Sequence, residues 1–328
     1  MTQFQNTATQ QSDLAKACKA AGDPLRMSIL KLLGQGAFGV LELCRVFDIK
    51  QSSMSHHLKI LAQASLASTQ REGNSIFYRR PLIQGNTLFD QWLAATFAAI
   101  DHSNDPAQSQ LQTAVAEVLQ ERAQACAEFF ARHAEDFKEQ QDLIASHDQY
   151  GSALNELLPS LAGGHKGSGY ALEIGPGEGA FIPALASRFE HVTALDISPG
   201  MLALTREVVE QQALDNVRCV LGDATELATE RGRYHFAAAN MVLHHVPAPK
   251  TIFQQVAELL ASNGSLLITD LCPHEQSWAR ESCGDLWLGF EPADLTAWAM
   301  EAGLTEGPSQ FLGLRNGFQI QFRVFHKP

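Results

Sequence analysis

The 328-residue chain is 45% hydrophobic and 18% charged, with a formal net charge of −12 at pH 7. This composition suits well-buried domains and excludes a disordered chain, and the length predicts two domains with a connector. No apolar run approaches the roughly 18 residues of a membrane span.

The first dozen residues, Met1 to Ser12, are rich in Gln, Thr and Asn. They lack the basic start and apolar stretch of a signal peptide, and a disordered tail is expected over 1–12. The six cysteines are scattered without a Cys-x-x-Cys pair, so reduced thiols in a cytoplasmic protein are expected, with neither a disulfide framework nor a metal site. Charge is uneven. Residues 1–100 carry a net +4 and the remainder −16. A basic head on an acidic body can approach phosphates while the body stays away from them, although ordinary surface variation gives the same figures.

Asp23-Pro24 opens a helix as N-cap and first helical residue, and Leu25, Ile29, Leu32 and Leu33 recur at helical spacing before Gly34 and Gly36. A short second helix carries Val40, Leu43, Val46 and Phe47. After a break at Asp48-Ile49-Lys50 a third begins at Gln51. Met54, Leu58 and Leu61 form its core-facing stripe. Its other side holds Gln51, Ser52, Ser53, Ser55, His56 and Lys59. Serine is a mediocre helix former, but short hydroxyls let a helix come close to base edges in a major groove; a plain solvated face is the alternative. Residues 66–80 then read as two short strands around Glu72-Gly73-Asn74, with Arg71, Arg79 and Arg80 placed to neutralise phosphates.

These residues resemble the ArsR-type family of dimeric bacterial winged-helix regulators. The resemblance spans 13–100 and is carried by Asp23-Pro24-Leu25-Arg26, Leu43-Cys44, Gln51-Ser52-Ser53-Met54-Ser55-His56-His57-Leu58 and the arginine wing. It implies a homodimer, joined through the first helix and the apolar helix of residues 86–100, that binds a palindromic site on double-stranded DNA. Metal-sensing members carry two thiolates in the helix before the recognition helix. The matching stretch here, Ala37 to Leu43, has neither, so metal sensing at that place is not expected.

Asp101 to Gln110 reads as a polar linker, followed by a long helix from about Leu111 to Ile144; linker and connecting helices together are assigned to 101–150. Its aromatics are read as ordinary packing.

Residues 151–328 form the second domain. Tyr170 to Ile174 reads as a buried strand running into Gly175-Pro176-Gly177-Glu178-Gly179. Glycines there let a ligand lie against the backbone. Pro176 and the acidic Glu173 and Glu178 disfavour pyrophosphate and tolerate a cationic ligand. Further strands end in Asp196, in Gly222-Asp223, near Asn240 and in Asp270. Strands alternating with helices predict a parallel, doubly wound sheet with ligands at the carboxyl ends of its strands.

This domain is similar to class I S-adenosylmethionine-dependent methyltransferases. The resemblance implies a Rossmann-like seven-stranded sheet, with S-adenosylmethionine or S-adenosylhomocysteine held by Glu173, Gly175, Gly177, Gly179, Asp196, Ile197, Met201, Asp223, Ala224 and Asn240. N-terminal helices of methyltransferases often fold over the cofactor, so the resemblance also implies Phe137 and Tyr150 as alternative candidates for a lid. The loop lacks the motif of nucleic-acid amino methyltransferases, so any methyl acceptor is expected to be a small molecule. His244 and His245 are candidates for a catalytic base, with a structural role as the alternative. The whole chain thus reads as a transcriptional regulator whose effector is the adenosyl ligand, or alternatively as an active methyltransferase with an autoregulatory DNA-binding domain.

Overall fold

A computed structural model describes residues 2–103, 108–133, 137–161 and 168–328, without the side chains of 2–10, 108, 137, 138 and 160. The chain forms two compact units that meet between Glu121 and Arg122.

The first unit begins with α1 (Thr2–Ala21), where a disordered tail was expected over 1–12. No Gly or Pro interrupts the sequence before Gly22, and Ala17 and Ala20 are buried, so the polar beginning continues a packed helix. In α2 (Pro24–Leu33) the Asp23 side chain accepts the Arg26 amide at 2.9 Å, as the N-cap reading predicts. Strand β1 (Phe38–Gly39) leads into α3 (Val40–Phe47), which ends at Asp48 in the left-handed conformation. Next come α4 (Gln51–Gln63), the hairpin of β2 (Ser68–Glu72) and β3 (Ser75–Arg79), and α5 (Leu88–His102). The hairpin is antiparallel, and β3 also pairs with β1. Gly73, at φ +58, supplies the left-handed residue of the turn.

One core joins Ile29, Leu30, Leu43, Met54, Leu58, Leu61, Leu93 and Phe97 with Val115 and Val118 of α6 (Gln108–His133). Each such aliphatic side chain contributes about 1.5–3 kcal/mol by leaving water.

The expected single helix over 111–144 is two helices, α6 and α7 (Phe137–Ile144), followed by α8 (His147–Leu161). The expected linker is correspondingly shorter, because α5 runs to His102 and α6 starts at Gln108; residues 104–107 lie outside the described residues.

The second unit is built on β4 (Tyr170–Ile174), α9 (Ile182–Ala186), β5 (His191–Asp196), α10 (Pro199–Gln211), β6 (Val217–Leu221), β7 (Tyr234–Asn240), α11 (Pro249–Leu259), β8 (Leu260–Leu271), α12 (Trp278–Ser282), α13 (Pro292–Glu301), β9 (Thr305–Gly313) and β10 (Gln319–His326). The seven strands order as β6-β5-β4-β7-β8-β10-β9. The first five are parallel; β10 enters antiparallel between β8 and β9. Central strands such as β4 and β7 are buried along nearly their whole length, which explains their unbroken apolar runs. The largely exposed β9 carries Pro308 at the sheet edge, where a missing amide costs no ladder bond. The expected mixed architecture, a winged helix-turn-helix and a Rossmann-like seven-stranded sheet, is what the chain adopts. The order reverses between β4 and β7, and such a switch point opens a crevice at the carboxyl ends of the strands.

Candidate functional site

In the first unit α4 buries Met54, Leu58 and Leu61, leaving Gln51, Ser52, Ser53, Ser55, His56 and Lys59 exposed together. This is the face a recognition helix presents to a groove. Arg71 projects from β2 and is exposed; Arg79, at the end of β3, is half-buried.

Arg80 is different. Its guanidinium pairs with both carboxylate oxygens of Asp101 (2.6 and 2.8 Å), its Nε donates to the Leu30 carbonyl at 2.7 Å, and it lies 4.5 Å above the Phe97 ring. A cation held by a carboxylate, a carbonyl and an aromatic face has its donors engaged within the unit, which sets Arg80 apart from Arg71 as a candidate for phosphate. Arg80→Ala is expected to lower stability by about 1 kcal/mol, read from denaturant midpoints, because it removes the hydrogen bond to the Leu30 carbonyl and the packing on Phe97, while the exposed Asp101 stays solvated.

In the second unit the glycine turn follows β4. Gly175, Gly177 and Gly179 all have positive φ. At Gly175 an added methyl group would run into the Val242 side chain, and at Gly179 it would crowd the Thr205 backbone at 3.2 Å. At Gly177 it would meet only Met201 Cε, at 3.7 Å, so this glycine borders open space.

Around the turn stand the expected acids. Glu173 is 2% exposed; Asn240 Nδ2 donates to its Oε1 at 3.1 Å. Glu173 Oε2 and Asn240 Oδ1 are buried with no hydrogen-bond partner. Two orphaned acceptors side by side call for a donor-rich or cationic ligand, since leaving them bare costs free energy. Burial pushes the Glu173 carboxyl up to about 7, against the lowering effect of the Asn240 hydrogen bond. Asp196, at the end of β5, accepts the Ser198 amide at 2.8 Å, and burial raises its carboxyl to about 6. Beside it Ile197 is 45% exposed, an unusual place for a bare aliphatic side chain, and Met201 is buried against Cys126 and Phe130 of α6. Asp223 is exposed after β6 and caps the following helical turn through the Thr225 amide at 2.8 Å, with Ala224 buried beneath it. Glu173, Asp196, Asp223 and Asn240 therefore all stand at the carboxyl ends of neighbouring strands. Tyr150 of α8 is buried and feels the Glu173 charge; the Phe137 side chain lies outside the described residues.

His244 and His245 occupy the turn after β7, both buried. His244 Nδ1 lies 2.8 Å from Asp270 Oδ1, and its Nε2 lies 3.9 Å from Asp285 Oδ1. Burial lowers the His244 pKa, but Asp270 and Asp285 overcome that and hold it up at about 9. His245 is driven well below the usual range by burial and by the neighbouring His244 charge. Its ring meets Phe130 edge-on at 5.0 Å. Sequence reasoning missed Asp270 as a site residue, although it ends β8 as Asp196 ends β5. Asp285 carries no such signal, because it lies in an irregular loop 40 residues beyond the histidines.

The fold and these strand-end acids define a Rossmann-like ligand-binding unit alongside a winged helix-turn-helix. Comparison with known proteins agrees. Residues 172–268 match the methyltransferase domain family and residues 21–70 a helix-turn-helix domain family. Over 60 residues the chain is 43% identical to the transcriptional repressor SdpR of Bacillus subtilis, covering 18% of this chain and 67% of that protein. Over 148 residues it is 25% identical to the ubiquinone biosynthesis O-methyltransferase of Coxiella burnetii, covering 41% of this chain and 63% of the relative's length. A chain from the Haloferax volcanii complex between the Trm112 methyltransferase activator and a methyltransferase shares the fold, with a TM-score of 0.50, 14% identity, and coverage of 61% of this chain and 97% of that one. The chain belongs to the helix-turn-helix transcriptional regulators, and it joins that domain to a methyltransferase domain in one polypeptide. Among the described residues no helix is long and apolar enough to cross a membrane.

Proposed function

We propose that the chain is an ArsR-type, homodimeric regulator of transcription whose methyltransferase-fold unit binds S-adenosylmethionine or S-adenosylhomocysteine as an effector of DNA binding. The observation that carries the ligand is the pair of orphaned buried acceptors, Glu173 Oε2 and Asn240 Oδ1, beside a glycine turn bordering open space. They suit the ammonium end of the ligand's amino-acid portion. Asp196 would hold the ribose hydroxyls, Ile197 and Met201 the faces of the adenine, and Asp223 with Ala224 its edge. When bound, S-adenosylmethionine supplies a sulfonium with an activated methyl group.

The exposed α4 face supports the DNA assignment, with Arg71 and Arg79 facing the backbone. Arg71→Ala is expected to weaken binding to every sequence and to reduce the salt slope by about one phosphate, whereas a loss confined to one base pair would contradict that role.

Operator DNA titrated alone and with each ligand tests the proposal. A coupling of about 1–3 kcal/mol, a 5- to 150-fold change in affinity, is expected with at least one of them. Identical affinity in all three conditions would refute the effector reading.

The two raised carboxyl pKa values give a pH dependence. Folding raises Glu173 and Asp196 above their unfolded values, so the unliganded unit binds more protons than the unfolded chain. Its stability from these groups is full below the unfolded carboxylate range and is lost as pH rises through about 6 to 7. A cationic ligand prefers both groups ionised. Calorimetric affinity for S-adenosylmethionine is therefore expected to rise between pH 5.5 and 8 with proton release, which buffers of different ionisation enthalpy would reveal.

A second reading, an active methyltransferase with a small-molecule acceptor, is favoured by the His244–Asp270 pair, which fixes one imidazole beside the loop after β7. Turnover on a panel of small oxygen, nitrogen and carbon acceptors would establish it. Methyl transfer needs mainly alignment of the acceptor with the sulfonium, so His244, held protonated by Asp270 and Asp285, would orient the loop or donate a hydrogen bond rather than act as the base.

A further inference from the structure

We propose that a ring nitrogen from each of His244 and His245, with a carboxylate oxygen of Asp285, forms a binding site for a first-row divalent cation. These three donor atoms lie within 4.8 Å of one another, and all three residues are buried. Asp285 Oδ1 stands 3.9 Å from His244 Nε2 and 3.7 Å from His245 Nδ1. Both separations exceed a hydrogen bond. Donors placed tetrahedrally about 2.1 Å from one ion are about 3.4 Å apart, so the cluster closes on a cation with shifts of up to about an ångström, His245 Nδ1 exchanging its 3.3 Å contact with the Gly284 carbonyl for the ion.

The arrangement is held in place from outside. Asp270 Oδ1 binds His244 Nδ1 at 2.8 Å, which leaves Nε2 to face Asp285; a carboxylate behind a histidine in this way orients metal-binding imidazoles. Asp270 is itself fixed by the amides of Leu243 (2.9 Å) and Leu271 (2.7 Å). The Asp285 loop is tied to the histidine turn through the amides of Leu286 and Trp287, which both bind the His244 carbonyl at 2.9 and 3.1 Å, and through Trp287 Nε1 on the Val246 carbonyl at 2.8 Å. Gly284, at φ +75 with the Phe129 ring over its face, constrains the same loop from the other side.

Two imidazoles and one carboxylate suit zinc, cobalt, nickel, manganese or iron(II) rather than calcium or magnesium, and no cysteine takes part. A cation there would also offset the two carboxylates, and it would take His244 Nε2 out of proton transfer.

The test uses the full-length protein, stripped with a chelator and titrated with Zn²⁺ and Co²⁺. One equivalent per chain is expected, with cobalt ligand-field bands and no thiolate charge-transfer band. Asp285→Asn and His245→Gln should each weaken binding by about 100-fold or more, and Asp270→Asn by about 10- to 100-fold. Circular dichroism and DNA binding confirm that each variant folds. If Asp285→Asn fails to fold, His245→Gln carries the test alone. Failure to bind one equivalent, or equal affinity in the wild type and a folded His245→Gln or Asp285→Asn variant, would overturn the site and leave a purely ionic histidine–carboxylate cluster.

Discussion

Replacing Asp196 with alanine is expected to reduce the affinity for S-adenosylmethionine and S-adenosylhomocysteine on the order of 100-fold, measured by calorimetry. The carboxylate ends β5 and is nearly buried, so two hydroxyl groups donating to it would make charge-assisted bonds with little competition from bulk water. Such bonds are worth about 1.5–3 kcal/mol each, and losing two at the lower end of that range gives the stated factor. Asp196 also accepts the Ser198 amide at the start of α10, so the alanine variant loses a little stability as well. Asp196→Asn separates the two effects. It keeps an acceptor for that amide, and a loss of ligand affinity in this variant at unchanged melting temperature reports the ribose contact alone. Unchanged affinity in both variants would refute the assignment of Asp196.

Gly175→Ala is expected to abolish measurable binding of either ligand and to lower stability. Its φ of +62 costs an alanine about 1–2 kcal/mol, and the added methyl would overlap the Val242 side chain, with Val242 Cβ only 3.0 Å away. Val242 immediately precedes the turn that carries His244 and His245, so relieving the overlap displaces that turn. Adding Val242→Ala to Gly175→Ala should recover stability by more than the single changes predict, a positive coupling that a double-mutant cycle reads directly. Gly177→Ala provides the contrast. Space is available there, so stability should fall only by the backbone strain, while ligand affinity falls steeply because the methyl projects where the ligand lies. Equal ligand affinity in Gly177→Ala and wild type would place the ligand elsewhere.

Much of this was legible in the sequence because strand ends announce themselves. A buried strand must be followed by a residue that leaves the sheet, and Gly175, Asp196, Asp223 and Asn240 each occupy that place with a side chain or backbone suited to a ligand. The α4 face was legible for a similar reason: Met54, Leu58 and Leu61 fix which side is buried, and the serines and Lys59 are left on the other. Arg80 was not. In sequence it continues a wing rich in arginine, and only the return of α5 brings Asp101 and Phe97 to it. Asp285 was invisible because no periodicity links an irregular loop to a turn 40 residues earlier. The sequence places a tail over 1–12 where α1 starts at Thr2, since polar composition says little about helicity when neither Gly nor Pro intervenes. The sequence places a boundary near residue 100 while the compact units divide after Glu121, because a polar stretch marks where the chain changes direction and not where a core ends.

That last point bears on how such fusions are dismantled or recombined. Leu111, Val115 and Val118 lie beyond the polar stretch, yet they complete the apolar interior of the helix-turn-helix unit. Severing the chain after Ile100 would strip these three side chains from that interior and uncover the α2 surface beside Leu111 and Val115. A transplantable DNA-reading module therefore extends to about Glu121. A shorter excision should aggregate, and its insolubility would say nothing about whether the intact module grips an operator.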